Sequence, residues 1–142
     1  MFAKIDDSKF PLVYYTLNGI PESDNEFENF LIEWDKINNR KQYYNLCINS
    51  LNIGWISVKY AIRLSKYVKK LKENEEVYIR NTIIIIQNKY VRGLINLVFK
   101  LQKPVSTIYI VNNIKDSEIV NYCISKNIKI NTDKITIINK KD

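Results

Sequence analysis

Ile83-Ile84-Ile85-Ile86 lies at the end of Val77 to Ile86, the most hydrophobic stretch of the chain. A β-strand points successive side chains to opposite faces, so a near-continuous aliphatic run has no face left for water. The run therefore predicts a strand buried on both sides, inside a sheet that is covered above and below. It is far too short for the roughly 20 apolar residues of a membrane-spanning helix.

The segments around this strand alternate in type. Phe10-Pro11-Leu12-Val13-Tyr14-Tyr15-Thr16-Leu17 is β-rich and closes on Asn18-Gly19-Ile20-Pro21, a strand followed by a turn. Ser23-Asp24-Asn25-Glu26 has the form of a capping box. Phe27, Phe30, Leu31, Trp34 and Ile37 then follow helical spacing, which predicts a helix from about 23 to about 39. Tyr43 to Ile48 reads as a second strand, ended by the polar break Asn49-Ser50-Leu51-Asn52. The next helix, about 55 to about 73, sets Ala61, Leu64, Val68 and Leu71 against Lys59, Arg63, Lys66 and Lys70 on its other side.

Beyond the isoleucine run, Asn88 can cap a third helix with Val91, Leu94, Ile95, Val98 and Leu101 inward. Its outer face carries Lys89, Arg92, Lys100 and Lys103, and Pro104 ends it. Ser106 to Val111 is a fourth strand, and Asp116 to Lys126 a short helix with Ile119, Tyr122 and Cys123 inward. This β-α-β-α-β-α-β-α order predicts an α/β fold: one four- to five-stranded, mostly parallel sheet with helices packed on it. Residues 1–127 form the expected domain, and residues 128–142, where Ile alternates with polar residues, a terminal hairpin or edge strand.

Composition narrows the function classes. The chain of 142 residues has no His, 3 Gly and 2 Cys, which removes Ser-His-Asp and Cys-His catalysis, His-ligated metals and disulfide scaffolds. No phosphate-loop, dinucleotide-binding or nucleophile-elbow string occurs. The acids Glu22, Asp24, Glu26, Glu28, Glu33 and Asp35 read as a charged helix face rather than an acid/base pair. The expectation is a protein without enzymatic activity, cofactor or metal.

The net charge of +7 invites a nucleic-acid reading, but 18 Lys accompany only 4 Arg, and Ile, Asn and Tyr are inflated alongside. All four abundant types have A/T-rich codons, so coding bias accounts for the lysines without selection for phosphate binding, where Arg is preferred. Charge is also divided along the chain: residues 1–35 hold two Lys against eight Asp or Glu, and the remainder is strongly basic. The start, Met1-Phe2-Ala3-Lys4-Ile5-Asp6-Asp7, lacks a signal peptide's apolar run, and Phe2 stands where myristoylation needs Gly. A soluble, cytoplasmic protein with reduced thiols is the expectation.

Several stretches resemble a known family. The strand Phe10-Pro11-Leu12-Val13, the helix Glu26-Phe27-Glu28-Asn29-Phe30-Leu31 and the segment from Arg92 through Leu101-Gln102-Lys103-Pro104 resemble the STAS domain (sulphate transporter and anti-sigma-factor antagonist), especially its stand-alone SpoIIAA-like branch. Asp116-Ser117-Glu118-Ile119-Val120 is loosely similar to the family's closing helix. The likeness covers roughly residues 10–126. It implies a protein-interaction module whose partner binding is switched by phosphorylation of a Ser at the start of the helix after a central strand. The corresponding stretch, Asn49 to Ser57, keeps Ser50 and Ser57 without the family's Asp-Ser-Ser-Gly string.

Ser57 and Ser50 are accordingly candidate phospho-acceptors, and equally ordinary helix-cap residues. Lys59, Arg63, Lys66, Lys70, Lys89, Arg92 and Lys100 are a candidate interaction patch, and equally solvated helix faces. No aromatic platform is visible among these lysines, which counts against single-strand binding. Cys47 and Cys123 read as core residues. The leading expectation is a regulatory or adaptor module that binds a protein partner or itself, its acidic first helix opposing its basic later ones. The alternatives are a scaffold or virion component, which the coding bias of a parasite, endosymbiont or large DNA virus would suit, and electrostatic binding to nucleic acid or anionic membrane.

Overall fold

A computed structural model describes residues 1–133 and 135–140. Six strands and four helices follow the chain as β1 (Ala3–Lys9), β2 (Leu12–Asn18), α1 (Asp24–Asn38), β3 (Tyr44–Asn52), α2 (Val58–Lys72), β4 (Ile79–Ile85), α3 (Lys89–Leu101), β5 (Thr107–Val111), α4 (Ile114–Lys126) and β6 (Thr136–Ile138). The strands lie side by side in chain order in one sheet. β2 to β5 are parallel, while β1 and β6 close the two edges antiparallel. The α/β class is as expected, but the sheet is six-stranded and mixed, not four- to five-stranded.

The unexpected strand is β1. Lys4, Asp6 and Ser8 hide it from a hydrophobicity reading, yet Ala3 and Ile5 pair with Leu17 and Tyr15 and face the core with them. The tail resolves as the edge strand β6, with Ile138 opposite Ile108 and Ile137 opposite Tyr109. Lys134, Lys141 and Asp142 of that tail lie outside the described residues.

Sequential strand order has a consequence for the helices. Crossovers of the usual right hand, each laying its strand beside the last, put all their helices on one face. The larger core obeys this, joining α1 (Phe27, Phe30, Trp34), α2 (Ala61, Val68, Leu71) and α3 (Val91, Leu94, Val98) to Val13, Leu46, Ile84 and Ile110 of the sheet. On the opposite face Cys47, Ile83, Ile85 and Val111 pack with Val120 of α4. The isoleucine run is therefore buried on both sides, Ile84 on one face and Ile83 and Ile85 on the other.

Three local expectations need correcting. β3 runs through the supposed polar break to Asn52, because its polar side chains find partners within the sheet layer. The Ser50 hydroxyl donates to the Ile85 carbonyl at 2.6 Å, and Asn49 donates to the Tyr14 hydroxyl at 3.1 Å. α4 is rotated from its expected phase: Ser117 and Val120 are buried, whereas Ile119 and Tyr122 are exposed and Cys123 is half-buried. Asn113 caps it, accepting from Asp116 N–H at 2.7 Å, so the helix begins at Ile114 and meets the sheet with one narrow stripe. Leu101, the last residue of α3, is exposed rather than inward.

Candidate functional site

The acidic helix and the first basic row face each other within the chain. Lys59 Nζ lies 2.9 Å from Asp24, Arg63 grips Glu28 through Nε and Nη2 at 2.7 Å each, and Lys70 Nζ lies 3.2 Å from Asp35. Spacings of four and seven residues on α1 meet matching spacings on α2, so two adjacent helices form a ladder of pairs. The Lys59 ammonium and the Tyr60 hydroxyl hold the Asp24 carboxyl below its ordinary range. Beneath the ladder Tyr60 stacks on Phe27 at 4.7 Å, and Tyr67 meets Trp34 at 5.0 Å.

This arrangement changes the meaning of the α2 lysines. Lys59, Arg63 and Lys70 are engaged with acids of the same chain, so opposed helix charges are no argument for self-association. Reversing Arg63 should weaken the α1–α2 contact instead. Exchanging the pair, Glu28→Arg with Arg63→Glu, should recover most of the stability that either single reversal loses, with a coupling of about 0.5–1 kcal/mol for a half-exposed pair. Urea unfolding of the four proteins measures it; additive losses would disprove the pairing.

The other expected residues are scattered. Lys66 is exposed on α2. Lys89 and Lys100 are exposed at opposite ends of α3, and half-buried Arg92 donates to Thr136 Oγ1 of β6. Ser50 is buried in β3, where its bonded hydroxyl is not presented to a kinase. Ser57 is the N-cap of α2, its Oγ accepting from Lys59 N–H at 3.4 Å, and it is only partly buried. Cys47 is buried, which pushes its thiol up to about 12, so the thiolate nucleophile is suppressed.

Ser57 belongs to the edge of the sheet where the parallel strands end and α1 to α4 begin. In open α/β sheets ligands and partners gather at this edge, because loops there are free of the ladder and helix N-termini point outward. Here the β3–α2 loop is pinned from α3: Asn88 Nδ2 donates to the Gly54 carbonyl at 2.8 Å, and the Tyr90 hydroxyl to the Ile56 carbonyl at 2.6 Å. Ile53 and Ile56 anchor the loop inward and are buried. Between them Trp55 turns outward, 54% exposed, and stacks on Tyr90 with centroids 6.4 Å apart and planes 14° from parallel.

An aromatic pair therefore does exist beside Lys89, contrary to the expectation from sequence. It is assembled from residues on two elements, so no linear spacing reveals it. The one linear signal is a Trp next to Gly54 in a loop, just ahead of a helix cap. Val58 and Ile62 are also exposed, one turn apart on α2.

No protein-family model and no curated protein matches the chain. Among the described residues no helix is long and apolar enough to cross a membrane.

Proposed function

We propose that the protein is a non-enzymatic, STAS-like interaction module that docks an acidic protein partner on the Trp55–Tyr90 surface. The observation that carries this reading is the exposed stacked pair held by two hydrogen bonds to loop carbonyls. A large aromatic side chain already fixed in place loses little freedom on binding, and such residues dominate interface energetics. The partner's charge follows from the stretch that carries Tyr90. Residues 77–115 hold Arg80, Lys89, Arg92, Lys100, Lys103 and Lys115 without one Asp or Glu, with Lys89 and Lys115 at the same strand-end edge as the pair, while the acids of α1 are largely taken by α2.

The resemblance supplies the regulation. Ser57 caps the helix after a central strand of the sheet, the position the STAS switch occupies. A phosphate there is favoured by the helix N-terminus and adds about −2 charge beside Trp55, which repels an acidic partner. Partner capture from native cells by the wild-type protein, Trp55→Ala, Tyr90→Ala and Ser57→Asp is the test. An acidic protein should be retained by the wild type and weakened at least about 30-fold by Trp55→Ala, the effect of losing about 2 kcal/mol at a hot spot. Capture that is indifferent to Trp55 and Tyr90 would refute this surface.

A second reading, binding to a nucleic acid or anionic membrane, draws on the same acid-free stretch. It requires affinity that falls steeply between low and physiological salt and tracks Lys89, Lys100 and Lys103 rather than Trp55.

A further inference from the structure

The larger core contains a cavity of about 100 Å³ between the sheet and helices α1 to α3. Its wall is almost wholly aliphatic and aromatic, and among the described residues the hydroxyls on it from short side chains are those of Ser50, Thr82 and Ser106. Each of these is already engaged: Ser50 donates to the Ile85 carbonyl, and Thr82 and Ser106 bond each other at 2.9 Å, which uses two of the three hydroxyl protons. Water in a cavity needs two to four polar partners, and a wall that is otherwise aliphatic and aromatic supplies them poorly. Ala61 is the smallest apolar side chain on the wall, on the same α2 stripe as Leu64 and Val68.

We propose that this cavity is a binding site for a small apolar molecule, of the size of a xenon atom up to a single hydrocarbon ring. An apolar cavity of about 150 Å³ stays dry and takes up benzene or xenon, so this one is of the right order. A long acyl chain does not fit without opening the helices. The wall also includes Ile53 and Ile56, the buried anchors on either side of Trp55. A molecule seated there touches the inner side of the loop that carries the aromatic surface, which makes occupancy a means of adjusting that loop. The binding site itself stands independently of whether the aromatic surface docks a partner.

Xenon and benzene titrations of the intact protein, followed by ¹²⁹Xe shift and by methyl resonances of Leu64, Val68, Leu94 and Val98, test this. Saturable shifts of those methyls are expected, accompanied by shifts at the Gly54 amide and the Trp55 indole N–H. Ala61→Leu, which fills the cavity, should abolish the xenon response at least tenfold. Val98→Ala, which enlarges it, should tighten benzene binding, so the result does not depend on one variant folding. A linear, unsaturated response in the wild type, an unchanged response in folded Ala61→Leu, or a preference for palmitate over benzene would each overturn the proposal.

Discussion

Replacing either Ile84 or Ile85 by Ala should cost about 2–5 kcal/mol of folding stability, with closely similar effects at the two sites. The neighbours point to opposite faces of β4. Ile84 packs under the three-helix layer and Ile85 against the α4 side, and both are almost completely buried. In a sheet with one wet face, one of the two substitutions would be nearly neutral. Chemical denaturation of both variants measures the difference directly. A loss below about 1 kcal/mol at Ile85 would mean that α4 does not cover the sheet as described.

Alkali should unfold the protein steeply. Tyr15, Tyr44 and Tyr67 are buried in the layer between β2, β3, α1 and α2, and burial raises each phenol above its ordinary range. At Tyr67 the hydrogen bond to Asp35 adds to this. The folded state keeps these protons above about pH 10 while the unfolded chain releases them. The unfolded state then binds fewer protons, so the phenols' contribution is intact below about pH 10 and is lost as pH rises past it, on top of that of the Cys47 thiol, which begins to be lost from about pH 9. Each phenol contributes about 1.4 kcal/mol per pH unit in that range, about 4 kcal/mol per unit for three.

Urea unfolding at a series of pH values from about 9 to about 11 gives the slope. Tyr15 isolates one contribution, since its hydroxyl has no hydrogen-bond partner among the described residues. Tyr15→Phe should leave neutral-pH stability unchanged or raised and reduce the alkaline slope by about 1.4 kcal/mol per pH unit. A flat profile above about pH 10 would show that these phenols ionise freely in the fold.

Much of the architecture is legible in the residues one by one. The Ile83–Ile86 run demands a strand buried on both faces, and β4 is one. Ser23 caps α1 as read, its Oγ accepting from Glu26 N–H at 3.3 Å, whereas the Glu26 carboxylate accepts from Glu22 N–H at 3.2 Å, one residue before the cap, rather than from Ser23 as a capping box requires. Asn88 caps α3 through Tyr90 N–H and Val91 N–H. These features are local, decided by side chains within a turn or by the burial that a hydrophobic run requires.

What eluded the sequence depends on partners distant along it. β1 is stable because β2 lies beside it, so a strand bearing Lys4 and Asp6 forms without a hydrophobic run. Ser50 looks like a loop serine until the Ile85 carbonyl, on the neighbouring strand, accepts its proton. α4 meets the sheet through Ser117, Val120 and Ile124, so Ile119 and Tyr122, which its apolar pattern turns inward, are left exposed. The α2 lysines look available until α1 is packed against them. Trp55 and Tyr90 are unremarkable singly and become a surface only when the β3–α2 loop is tied to α3.

Local periodicity and capping thus determined which segments become helices and which become strands, because those forces act within a few residues. Only the tertiary structure decided which charges remain free, which hydroxyls are accessible and which aromatics meet, because burial and pairing are properties of the assembled layers.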